Sequence, residues 1–205
     1  MRGSIMIRVM ALMVCLQVAN AEDALVQGGK SPTGKYEVRL YRDRSEISGD
    51  DDGYSYEVFD VSKGKVLKRF RAGGTFADYN GALVTSKVMW APSGHFFWLT
   101  DHGGRHDMDL YLYKVAKSDV IALTVPDYLH RALSLVGADR IFRASVVEPI
   151  RWDGDTLVSS YYFDAEKDST ISGPYTTQFT LSMPKAGKMD VELTGMDQPV
   201  SNPND

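Results

Sequence analysis

Seven side chains suited to ligand or acid–base chemistry crowd one short stretch. In "HFFWLTDHGGRHDMDLYLYKV" (residues 95–115) these are His95, Asp101, His102, Arg105, His106, Asp107 and Asp109, and they include three of the four histidines in the chain. His102 and His106 stand four apart. On a helix that spacing would put both imidazoles on one face, and carboxylates could complete the three or four donors that zinc takes. Gly103 and Gly104 lie between them, and strand-like segments flank them on both sides. A helix is therefore not expected, and the i, i+4 geometry is lost with it. A polar hairpin connection accounts for the same residues, because glycine supplies positive φ and aspartate bonds nearby amides. Asp109 then serves the scaffold by tying the loop. His102, Gly103, Arg105, His106 and Asp107 are left at the tip, free to meet a protein partner. On this reading no metal and no cofactor is expected.

Other chemistries find less support. There is no G-x-S-x-G, and Ser93 sits in "APSG", where serine is an ordinary turn residue. Acidic residues are plentiful, but no pair stands out as a glycosidase dyad. "SGDDDGYSYE" (residues 48–57) resembles a calcium loop, yet the sixth residue after Gly53 is Phe59 where an EF-hand needs glutamate. A solvated hairpin tip explains it. Phosphate-loop, dinucleotide and H-E-x-x-H signatures are absent. The expectation is a non-enzyme, with a hydrolase built on a His/Asp metal site as one alternative.

The elements that would position the tip are strands. "KYEVRLYR" (35–42), "YSYEVFDV" (54–61), "DLYLYKV" (109–115) and "TQFTLSM" (177–183) alternate apolar and polar residues, the period of a half-buried strand. "HFFWLT" (95–100) is continuously apolar, as an inner strand covered on both faces should be. In the pair Tyr161-Tyr162 the two rings must point to opposite faces, one of them inward. Helical periodicity is confined to "PDYLHRALSLVG" (126–137). There Leu129, Ala132, Leu133 and Val136 share a face and Gly137 closes it. The end, "GMDQPVSNPND" (195–205), has two prolines and no periodicity, and is expected to be a flexible tail.

Of the 205 residues, 43% are hydrophobic, enough for a substantial core, and the formal net charge is −4. That balance argues against nucleic acid or an anionic membrane as partner and leaves room for a basic protein. Arg2 and Arg8 precede the apolar "VMALMVCLQV" (9–18) and then "ANA" (19–21). This is the form of a secretory signal peptide, residues 1–21, cleaved before Glu22. The apolar run is too short to span a bilayer, which needs ~20 residues. A lipoprotein signal would want a small residue before Cys15, and Val14 is not small. Cys15 is the only cysteine, so a mature chain would have neither disulfides nor thiol chemistry. The bacterial periplasm is the expected compartment.

One pattern recurs at a period of about sixty residues. "KSPTGKYEVRLY" (30–41) aligns with "WAPSGHFFWLTD" (90–101), and a third copy, "RWDGDTLVSSYYFD" (151–164), has a turn one residue shorter. Matching second halves follow. "YEVFDVSKGKVL" (56–67) aligns with "LYLYKVAKSDVI" (110–121), and "TQFTLSMPKAGKM" (177–189) aligns more loosely. Units of about four short strands at fixed period suggest propeller blades. The Trp90, Pro92, Gly94 turn, the apolar run from Phe96 to Leu99 and "DLY" at Asp109 to Tyr111 are similar to the repeats of TolB-like and WD-like β-propellers. That resemblance implies an all-β, propeller-like array of three four-stranded antiparallel blades in a single domain, residues 22–194, with a β-sandwich as the alternative. Three blades are fewer than the four to eight of an ordinary closed propeller. A cryptic fourth blade, an open arc or a homodimer would each resolve this.

Such a chain also resembles some periplasmic immunity proteins that protect bacteria against type VI secretion amidase effectors, a link that rests on size, compartment and architecture. It implies a non-catalytic binding module that inhibits a secreted peptidoglycan hydrolase toxin through an inserted loop. A structural component of an envelope complex is the second alternative.

Overall fold

The structure, a computed structural model, describes residues 21–43, 54–71, 84–102, 108–185 and 188–201. Among the described residues the protein is all-β with one nine-residue helix, and its strands form three antiparallel meanders. The first unit is β1 (Ala21–Lys30), β2 (Tyr36–Asp43), β3 (Tyr54–Asp60) and β4 (Lys65–Phe70). The second is β5 (Lys87–Trp90), β6 (Phe96–His102), β7 (Met108–Val115) and β8 (Val120–Ala122). After helix α1 (Tyr128–Val136) comes the third, β9 (Arg140–Asp153), β10 (Thr156–Lys167), β11 (Thr170–Ser182) and β12 (Glu192–Met196). The first two units join into one eight-stranded sheet where β1 lies parallel to β5, at Gln27 and Lys87.

The three aligned turns occupy one place in each unit, between its first and second strands. Gly34, Gly94 and Gly154 take φ of 68°, 67° and 61°, the left-handed conformation that glycine adopts without strain. One backbone bond appears in all three units, closing the third strand onto the turn: Val61 N to Lys35 O, Val115 N to His95 O and Met183 N to Asp155 O, each 2.8–2.9 Å. The turns also touch one another. A Cβ on Gly94 would meet the Thr33 side chain at 3.2 Å, and Ser93 Oγ donates to Asp155 Oδ1 at 2.9 Å. The indole N–H of Trp90 donates to Gly29 O at 3.0 Å, and that of Trp152 donates to Met89 O at 3.2 Å. Each tryptophan therefore reaches back to the end of the preceding unit's first strand.

Strand β6 is the shared wall of two cores. Phe97 and Leu99 face the core between the first and second units, while Phe96 and Trp98 face the core between the second and third. All four are buried, as a run apolar on both faces requires. In the first core the rings of Trp90, Phe97, Tyr113 and Phe70 follow one another with centroids 4.6–5.1 Å apart. In the second, Tyr128 of α1 stacks on Phe179 at 4.9 Å and meets Tyr161 edge-on at 5.5 Å. Tyr161 is fully buried and Tyr162 half-buried on the opposite face, as their alternation demands. The helix starts with Asp127 Oδ1 accepting His130 N at 2.8 Å and stops at Gly137, φ 65°. Among the described residues no helix is long and apolar enough to cross a membrane.

Two expectations about the chain's end need correction. The third unit's last strand is Glu192–Met196, beyond the segment aligned for it, because residues 183–191 bridge back to Thr124 before pairing begins. Residues 195–201 are not a loose tail. Met196 pairs with Phe179, Asp197 N bonds Gln178 O at 2.8 Å, and β13 (Val200–Ser201) pairs with β11. The free backbone of an edge strand binds these residues without any side-chain periodicity.

Candidate functional site

The polar tip read from the sequence joins β6 to β7. These two strands pair from Phe96↔Lys114 through Asp101↔Asp109 to His102↔Met108. His102 is the last residue of β6. Gly103, Arg105, His106 and Asp107 lie outside the described residues, as do residues 48–53 of the calcium-like segment. His95 stands apart, in the turn at the opposite end of β6. Among the described residues no group of three or more histidine, cysteine, aspartate or glutamate side chains is placed to hold a metal. Ser93 behaves as a turn residue, accepting from His95 N at 3.4 Å while donating to Asp155.

A second site appears where the first strands of all three units converge. Gln27 and Gly28 of β1, Lys87, Val88 and Met89 of β5, and Glu148 and Pro149 of β9 surround a cavity of about 520 Å3. Trp98 and Thr100 of β6 complete its lining. Thr100 precedes His102 by two residues, so at ~3.3 Å per residue the cavity lies some ~7 Å below the base of the polar connection. Gly28 makes the convergence possible. Its φ is +73°, and a Cβ there would fall 2.1 Å from Val88 O, so only a residue without a side chain lets β1 approach β5.

Three of the cavity's polar side chains have no partner among the described residues, whereas Thr100 Oγ1 donates to Lys87 O at 3.3 Å. Trp98 is 3% exposed and its indole N–H makes no hydrogen bond with the described residues. The other two tryptophans both donate to carbonyls. Lys87 and Glu148 are exposed at the cavity and bear opposite charges. Neither has an ion-pair partner among the described residues, and they do not reach each other. Val88, Met89 and Pro149 supply an apolar wall. Among the described residues no acid–base pair is assembled here.

A third cluster, on the outward face of the first unit, is fully paired. Arg39 bonds Asp23 at 3.0 Å and Glu37 at 2.7 Å, with its guanidinium 4.0 Å from the Phe59 ring centre. Arg69 bonds Glu57 and lies 3.9 Å from the Tyr41 ring centre. Burial lowers the Arg69 pKa, but hydrogen bonding to Glu57 and its charge more than offset this, and the net shift is upward. These groups satisfy one another, which suits a finished surface better than a binding site.

Sequence reasoning missed Gln27, Lys87, Glu148 and Pro149, which come from segments without alternation or motif. Trp98 was placed correctly in an inner strand, with nothing to show that its N–H lacks an acceptor. The fold and cavity together define an all-β protein of three four-stranded meanders whose first strands meet around an open pocket. No protein-family model matches the chain, and no curated protein does. It is similar to a solved structure of an Agrobacterium tumefaciens protein assigned as TolB, at 16% identity over 88% of this chain and 51% of that one, with a TM-score of 0.36. The chain thus spans about half the length of that protein.

Proposed function

We propose that this chain is a non-catalytic, protein-binding module of the bacterial periplasm. It acts as an immunity-type inhibitor that blocks a secreted cell-wall-degrading amidase by presenting the β6–β7 connection to its cleft. The supporting observation is the base of that connection. The β6–β7 pair keeps register to its last residues, and β6 is packed between two cores. Loops positioned by a rigid scaffold make good recognition elements. The acidic net charge favours encounter with a basic partner.

The test is binding and neutralisation of small secreted peptidoglycan amidases encoded beside this chain's gene. Replacing His102, Arg105 and His106 together by alanine should raise Kd at least about tenfold, the loss expected when charged hydrogen-bonding anchors go. The melting temperature should hardly move. A collapse in stability would mark the segment as structural, and failure to bind any neighbouring hydrolase would sink the inhibitor reading.

A further inference from the structure

The cavity between the first strands carries an inference independent of the inhibitor reading. Its volume, about 520 Å3, lies within the ~300–1,000 Å3 typical of small-molecule sites. Buried polar groups in native proteins are almost always paired. The Trp98 N–H is a donor without an acceptor in a molecule whose other two indoles are satisfied. Trp98 lines the cavity, and a ligand there is one source of that acceptor. Lys87 supplies positive charge on the same lining and Glu148 supplies negative charge, and no ion pair joins them. A ligand that matches all three groups has a carboxylate at one end and an ammonium at the other. The apolar wall of Val88, Met89 and Pro149 leaves room for a side chain between them.

We propose that this cavity binds a small zwitterion, an α-amino acid or dipeptide, through Lys87 and Trp98 Nε1 at its carboxylate and Glu148 at its ammonium. A divalent cation fits worse, because Glu148 is the only carboxylate among the described residues of the lining. A nucleotide fits worse as well, because Lys87 is the only cation among those described residues.

The indole N–H signals give a direct readout. Nitrogen-15 spectra of the full chain contain three, from Trp90, Trp98 and Trp152, assignable with Trp98→Phe. The probes are L-alanine, L-alanyl-L-alanine, its N-acetyl derivative and its methyl ester. The free dipeptide or the amino acid should move the Trp98 signal strongly and the two carbonyl-bonded indoles little. The methyl ester should bind about tenfold more weakly or worse, the usual cost of losing a charge-assisted bond. Lys87→Met should reproduce that loss, and Glu148→Gln should abolish the preference for the free amine over the N-acetyl form. A Trp98 signal that no probe moves at ~10 mM, where a ~1 mM site is nearly full, overturns the proposal, since solvent alone would then satisfy the indole. Equal shifts with acid and ester overturn it too. That comparison uses the unsubstituted protein, so it stands even if Lys87→Met fails to fold.

Discussion

The outward faces of the first and third units end the array in different ways. The first unit's outer face carries Asp23, Glu37, Arg39, Glu57 and Arg69 in mutual ion pairs, with both guanidinium groups laid over aromatic rings. The third unit's outer face carries hydroxyls and an amide at Ser160, Tyr162, Thr176, Gln178 and Thr180 of β10 and β11, with charges towards its margins, Glu148 opposite Ser160 and Arg151 opposite Val158 on β9 and Glu192 opposite Ser182 on β12. Neither is an apolar sheet face waiting for a further blade. Polar outer faces of this kind are what an unclosed repeat array requires. The edges follow the same logic. β4 carries Lys65, Lys68 and Arg69, and β8 is three residues long, so neither invites another strand.

If the outward faces are finished surfaces, stability must reside in the inward ones. The largest effect is expected at the wall shared by both cores. Phe97 is fully buried between the rings of Trp90 and Tyr113. Phe97→Ala should cost about 3–5 kcal/mol, read as a lower denaturant midpoint with little change in slope. A loss below ~1 kcal/mol would mean that β6 is not the common wall.

Next is the joint between the first two units. Gly28→Ala sets a side chain on a left-handed residue and drives its Cβ to 2.1 Å from Val88 O. Relief requires β1 to move off β5, at an expected cost of about 2 kcal/mol or more. Because Gly28 also lines the cavity, the variant should lose probe binding at Trp98 as well as stability.

Gly28 also shows how far the sequence is legible. The second and third strands of each unit, their turns and the helix could be read from periodicity and glycine placement, because in them local preference and tertiary packing agree. The first strands could not. β1 reads "AEDALVQGGK", where the paired glycines look like a turn and in fact permit close approach to another strand. The cavity draws Gln27, Lys87 and Glu148 from segments some sixty residues apart, and only the folded chain brings them together. Residues 195–201 look shapeless because backbone pairing to β11, not side-chain pattern, holds them. The polar tip was the reverse case, prominent in composition while its role rests on what it contacts.

A smaller effect is expected where the first unit's third strand turns into its fourth. Asp60 is fully buried, and its pKa is lowered from 3.8 to about 2. The Ser62 hydroxyl bond at 2.6 Å is the largest cause, opposed by burial and helped by the backbone N–H and ammonium of Lys63. Since the folded value lies below the unfolded one, the stabilisation is full above about pH 4 and is lost as pH falls toward about 2. Asp60→Asn should therefore melt below the parent at pH 7, and the gap should close between about pH 4 and 2. A gap that stays constant across that window would show that the carboxylate contributes by shape and not by charge.

The smallest effects test the two outer faces against each other. Arg39→Met keeps most of the side chain's cover over Phe59 and removes only the charge. The pairs it breaks are partly exposed, so a loss of at most about 1 kcal/mol is expected at low salt, fading as salt screens them. On the third unit, Thr180→Val removes a hydroxyl that meets Thr194 at 3.1 Å. Its effect should stay within about 0.5 kcal/mol and show no salt dependence. Chemical denaturation in urea at two ionic strengths separates the two. If both respond to salt alike, or both cost several kcal/mol, the two faces are not both finished surfaces, and a covering partner on at least one of them has to be sought.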